Sequence, residues 1–208
     1  MRERLIDELG DLAHSRFLVY LMGPYQAFDV EAVLAEAAAT GDGVAPDAIP
    51  ESVDFGTFVG SDVDFDRDEA AMDLLLEVRD RLRTAPGVNA FLAVDIDIPL
   101  DEIDAATQSI EFARHSNATA FVLPFLGHNF GVGEEAGSIL EALSETHGDR
   151  LIFVHEDNVT SAMIRSASVR WDVRVETYET EAELASKLRL FVGEIMHRER
   201  RGELDQPK

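Results

Sequence analysis

Glu134 and Glu135 close a glycine-rich turn, Gly127-His128-Asn129-Phe130-Gly131-Val132-Gly133, and Gly137 follows Ala136 directly. The turn comes after the apolar run Thr119–Phe125 (TAFVLPF) and leads into the helix-like GSILEAL. Strand, glycine-rich turn, helix is where open α/β sheets place their ligands. A phosphate-cradling loop offers bare amides at its helix N-terminus, and two negative charges there repel a phosphate. The turn is therefore suited to aiming a carboxylate. N-glycosidic cleavage passes through an oxocarbenium-like anomeric carbon, which a carboxylate can stabilise or capture without a metal. Acidic residues also favour a helix N-terminus for electrostatic reasons alone, so both readings of the pair stay open.

The chemistry needs a scaffold, and the hydrophobic pattern supplies one. Glu3–Ala13 reads as a short amphipathic helix, with Leu5, Ile6, Leu9 and Leu12 on one face. Arg16–Met22 (RFLVYLM) is a continuous apolar run closed by Gly23-Pro24, the pattern of a buried strand. Helices are expected over Asp29–Ala39, Arg67–Arg83, Asp101–His115 with Asp101 as N-cap, Gly133–Thr146, Val159–Ala167 and Glu181–Arg200. Further strands are expected at Ala90–Ile96, Thr119–Phe125, Arg150–His155 and Arg174–Tyr178. The alternation predicts one α/β domain over residues 1–208: a flavodoxin-like three-layer sandwich with a five-stranded parallel sheet. The acidic, Gly- and Pro-containing stretch Thr40–Asp66 is an irregular insertion, readable as a lid or as a mobile loop.

In such a sheet the carboxyl ends of the strands share one rim. That rim would receive Gly23-Pro24-Tyr25, then Asp95 and Asp97, then the Asn129/Gly131/Glu135 turn, then His155 and Glu156. Tyr20-Leu21-Met22-Gly23-Pro24-Tyr25 resembles the first strand and turn of nucleoside 2-deoxyribosyltransferases, which read roughly YLAGP-aromatic. In that family a later strand leads to an Asp, then a Gly two residues on, then Glu-x-Gly. Gly131 and Gly137 frame Glu135 at that spacing, whereas Glu134 does not fit.

The resemblance implies a nucleophilic Glu135 acting on the sugar anomeric carbon and a Tyr25 that orients it. Gly23 and Gly131 would allow the ligand to approach closely. Asn129 stands where the family has the Asp that handles the base; an amide hydrogen-bonds a base but is no proton donor of that kind. The candidate catalytic residues are thus Glu135 and Tyr25, and the candidate substrate-binding residues Gly23, Pro24, Asp95, Asn129, Gly131 and Gly133. The same layout is shared by TIR-like nucleotide-sensing domains. The chain as a whole also resembles an uncharacterised haloarchaeal family of about this length. The resemblance to the transferases further implies a homo-oligomer, since such enzymes complete their sites with a neighbour's residues.

Composition excludes several classes. There is no cysteine, so disulfides and thiol chemistry are out. No run approaches the ~18 apolar residues of a membrane span, and MRERLIDELG has no apolar signal core; a cytoplasmic location is expected. The 41 acidic and 18 basic residues give a net charge of −23, and only Lys187 and Lys208 are lysines. That habit is similar to proteins of halophilic archaea, where molar salt screens self-repulsion to a Debye length of ~3 Å at 1 M. It disfavours binding to nucleic acid or anionic membrane. The basic run His197-Arg198-Glu199-Arg200-Arg201 reads as a helix end, and Arg165, Arg170 and Arg174 as partners of surface acids.

No Walker lysine, G-x-S-x-G or H-E-x-x-H motif occurs. Asp95-x-Asp97 is a conceivable Mg²⁺ pair, and His128 a possible proton shuttle. Taken together, no metal or cofactor is expected. The expected ligand is a nucleoside or nucleotide, met either by an N-glycosidase or deoxyribosyltransferase-like enzyme or by a non-catalytic, self-assembling binding module. A protein-interaction scaffold using Thr40–Asp66 and the terminal helix is a third reading.

Overall fold

The structure is a computed structural model, which describes residues 1–24, 65–99, 101–125, 136–143, 147–159 and 162–207. Five strands form one parallel sheet: β1 (His14–Met22), β2 (Val88–Phe91), β3 (Ala118–Leu123), β4 (Leu151–Glu156) and β5 (Arg174–Tyr178). Their spatial order is β2-β1-β3-β4-β5, the expected flavodoxin-like order. Helices α1 (Arg2–Leu9), α2 (Phe65–Thr84), α3 (Ala105–His115), α4 (136–143), α5 (Ala162–Trp171) and α6 (Glu181–Arg200) complete the described elements.

Strand side chains alternate between two cores, giving three layers. Leu18, Tyr20 and Met22 of β1 join Phe121, Phe153 and residues of α1, α3 and α4 on one face. Val19 and Leu21 join Val122, Val154 and residues of α2 and α6 on the other. Tyr20 stacks on Phe91 at 5.2 Å between ring centroids, and Phe112 meets both rings edge-on. A sheet covered on both faces explains why β1, β3 and β4 read as continuous apolar runs.

Several boundaries differ from the sequence expectations for local reasons. The first helix stops at Leu9 because Gly10 turns left-handed, at φ 79°. Helix α3 begins at Ala105, and its cap is Asp104, not Asp101. Thr107 donates both its amide and its hydroxyl to that carboxylate, at 3.0 and 2.7 Å. These bonds hold the Asp104 carboxyl below the usual range. Strand β2 ends at Phe91, five residues before the expected Ile96. There Asp95 folds back, its Oδ2 accepting the Leu92 amide at 2.8 Å, and closes a 3₁₀ turn over Ala93–Asp95. Helix α5 occupies Ala162–Trp171 instead of Val159–Ala167 and gives way to the left-handed Asp172. Of the acidic insertion, residues 40–64 lie outside the described residues, as does the helix expected at Asp29–Ala39; Phe65 and Asp66 already belong to α2.

At the amino ends of the strands, opposite the carboxyl rim, a buried polar network joins distant parts of the chain. Asn117 Oδ1 accepts from Arg2 Nη2 and from the Leu18 amide, both at 2.9 Å. Its amide nitrogen donates to both oxygens of Glu199, at 2.9 and 3.0 Å. Arg150 Nη1 donates to the Asn117 carbonyl at 2.7 Å and to Glu199 at 2.5 Å, and its Nη2 donates to the Asp205 carbonyl at 2.5 Å. Burial lowers the Arg2 guanidinium from its ordinary value, with the charge of Glu199 opposing.

Several other cations are ion-paired. Arg198 pairs with Asp149, Arg201 with Glu203, Arg174 with Glu176 and Glu194, and Arg170 with Glu141. The basic run closes α6, and its Arg198 and Arg201 are ion-paired. The side chain of Arg165 lies outside the described residues. No described helix is long and apolar enough to cross a membrane.

The ion pairs leave the large acidic excess uncompensated, which gives a direct prediction. Raising KCl from 0.1 to 1 M shortens the screening length from ~10 to ~3 Å. Relief of self-repulsion should contribute a few kcal/mol, read as a rise of roughly 5–15 °C in Tm. A flat or falling Tm in differential scanning calorimetry across that range would show that the excess charge does not limit stability.

Candidate functional site

The strand order reverses between β1 and β3, which are direct neighbours: Met22 is in register with Phe121. Beyond their carboxyl ends lie Gly23-Pro24 and Pro124-Phe125. Gly23-Pro24 and Pro124-Phe125 are about a hundred residues apart in the chain, yet they leave the sheet side by side. A switch point of this kind opens a crevice because the connections on either side run away from each other.

Gly23 and Pro24 are buried at the end of β1. Gly23 has a packing role. A Cβ on this residue would fall 2.5 Å from Leu75 Cδ1, and Leu75 is fully buried in α2. The missing side chain thus lets α2 pack against β1. Gly23→Ala should overpack that contact at a cost of about 1–3 kcal/mol, lowering Tm by roughly 2–10 °C. A melting curve unchanged by the substitution would contradict this packing role.

Asp95 is likewise committed within the protein. Its Oδ1 takes Arg79 Nη1 at 2.5 Å while Oδ2 holds the Leu92 amide. With each oxygen holding one partner, Asp95 fixes the turn after β2. Asp97 is exposed; its amide donates to Glu8 and its carbonyl accepts from Arg4. Among the described residues, no three His, Asp or Glu side chains converge as metal ligands.

Further along the rim, Glu156 at the end of β4 reaches across to the end of β3. Its Oε2 accepts the Phe125 amide at 2.8 Å. His155 Nδ1 lies 2.9 Å from the Glu156 carbonyl. Phe125 is 58% exposed, a large apolar side chain left open beside the crevice. Tyr178 ends β5 in register with Glu156 and is buried. Sequence reasoning passed over Tyr178; the only available signal was an aromatic hydroxyl at the carboxyl end of an edge strand.

Tyr25, His128, Asn129, Gly131, Gly133 and Glu135 lie outside the described residues. Tyr25 follows Pro24 directly. The glycine turn spans the interval between Phe125, after β3, and the first turn of α4, whose Ala136, Ile139 and Leu140 are buried in the core.

Compared with known proteins, the chain matches over residues 2–208 a family described as Domain of unknown function (DUF7509). No curated protein and no solved structure matches it.

Proposed function

The chain belongs to the DUF7509 family, and from its rim geometry we propose that it is a nucleoside- or nucleotide-directed N-glycosidase or deoxyribosyltransferase-like enzyme. One observation carries the reading. Gly23-Pro24 follows β1, and the sequence that bears Glu135 follows β3, the neighbour of β1 at the switch point of the sheet. Two motifs that resemble one enzyme family in sequence thus each follow one of these two strands.

In the proposed reaction a Glu135 oxygen bonds to C1′ as the C1′–N bond breaks. The bonding pair leaves with the base nitrogen, which takes a proton from solvent. Water attacking C1′ then releases the sugar and restores the carboxylate; a second base in place of water gives transfer. Tyr25 orients the carboxylate, Asn129 hydrogen-bonds the base, and Gly131 and Gly133 keep the turn slim beside the sugar. A second reading, a binding module that has lost the reaction, is favoured by Asn129, which cannot protonate a leaving base as an Asp would. In the enzyme reading a homo-oligomer completes the site, and molar salt is the working medium.

The test is base release. Protein in molar KCl is incubated with deoxynucleosides, nucleoside monophosphates and NAD, and the products are separated by chromatography. Free base or nicotinamide is the expected product. Nucleotide-induced stabilisation without any release would sink the enzyme reading and leave the binding module.

A further inference from the structure

The carboxyl rim holds a cavity of about 560 Å³ that the preceding chemistry does not use. It lies on the α2 and α6 side of the sheet, in the size range of small-molecule sites, roughly 300–1,000 Å³. Ala70, Ala71 and Leu74 of α2 form an apolar wall, and Pro124, Glu156 and Tyr178 close it at the ends of β3, β4 and β5.

Two features make this more than a gap between helices. Tyr178 is only 3% exposed, and its hydroxyl has no hydrogen-bond partner among the described residues. Leaving a buried hydroxyl unpaired is unfavourable, and a Phe at that position would avoid the penalty. Beside it, Glu156 is held in place by the Phe125 amide on Oε2, while Oε1 makes no hydrogen bond among the described residues. A donor and an acceptor without protein partners therefore stand on adjacent strand ends, in register. Burial, with the nearby charges of Glu156 and Glu181, pushes the phenol above its ordinary pKa, so it remains a donor.

The charge of the cavity selects against anions. Glu156, Glu179 and Glu181 line it, and the one lining guanidinium, Arg81, is paired with Glu77. A phosphate is repelled there, whereas an uncharged planar edge with an acceptor next to an N–H suits the pair.

We propose that this cavity is the nucleobase pocket: the Tyr178 hydroxyl donates to a ring nitrogen or carbonyl of the base, and Glu156 accepts from the neighbouring N–H. The inference rests on the nucleoside chemistry proposed above and extends it, assigning the base to the ends of β4 and β5.

The test pairs calorimetric titration with thermal melting in molar KCl, using adenine, cytosine and hypoxanthine as free bases and ribose 5-phosphate as the anionic probe. At least one base should bind the wild type, and ribose 5-phosphate should not compete for the pocket. Tyr178→Phe should melt at or above the wild-type temperature while binding that base about tenfold more weakly, a combination that a structural hydroxyl does not produce. Glu156→Gln should weaken the same base. A Tyr178→Phe protein that melts lower and binds unchanged would overturn the proposal, as would failure of every base to bind. The two readings fail separately. Base release with parameters untouched by Tyr178→Phe and Glu156→Gln sinks the pocket alone. Tyr178-dependent base binding without release sinks the reaction alone.

Discussion

Glu199→Gln is expected to cost the protein about 3–5 kcal/mol, the usual consequence of removing one partner from a buried ion pair. The Arg150 and Glu199 side chains are only 6% and 4% exposed, so solvent cannot replace the lost charge. Glutamine keeps the shape and one acceptor oxygen but brings an N–H₂ toward the Asn117 amide and the Arg150 guanidinium, both donors. For a domain of this size, Tm should fall by roughly 6–20 °C. Exposed pairs such as Arg16–Glu3 (67% and 68% exposed) provide the contrast: Glu3→Gln should leave the unfolding midpoint nearly unchanged. Urea unfolding of both variants checks the difference, and similar midpoints for the two would refute the argument from burial.

The second large effect concerns the proposed reaction. Glu135→Gln should lower base release about 10³-fold, equivalent to roughly 4 kcal/mol of transition-state stabilisation. Glu134→Gln should leave the rate within a few-fold, because only Glu135 sits at the Gly131/Gly137 spacing. The competing account, two acids favouring a helix N-terminus, predicts something else. Each substitution would then cost about 0.3–1 kcal/mol of stability and neither would change a rate selectively. Measuring initial rates and melting for both variants separates the accounts, and equal rate losses in the two would discredit the assignment.

The fold was largely legible in the sequence because its strands are buried on both faces. Arg16–Met22 and Thr119–Phe125 needed no alternation to be recognised, since helices cover both sides of the sheet. The order β2-β1-β3-β4-β5 followed from the alternation of strands and helices together with the rule for such sheets. Where the reading missed, a side chain made a choice that composition does not record. Asp101 and Asp104 are chemically equal candidates for a cap, and Thr107 decides between them. The pairing of Asp95 with Arg79, sixteen positions away, could not be seen along the chain. Nor could the seat that the missing Cβ of Gly23 leaves for Leu75.

The site was legible only as motifs on a rim. Its further parts, Tyr178 with an unpaired hydroxyl and Glu156 bonded across to Phe125, depend on strand register and could not be seen along the chain. The same holds for the polar network at the other end of the sheet. Arg2, Asn117, Arg150 and Glu199 are ordinary polar letters until the fold brings them together.

That network also sets a timetable for a chain leaving the ribosome. Arg150 emerges 49 residues ahead of Glu199, an interval of about 3–10 s at typical synthesis rates. Until then Asn117 has no carboxylate to serve, Arg150 has no counter-charge, and β1, β3 and β4 can pair only around an unfinished lower rim. The polar network at the amino ends of the strands is therefore completed only once α6 has been made.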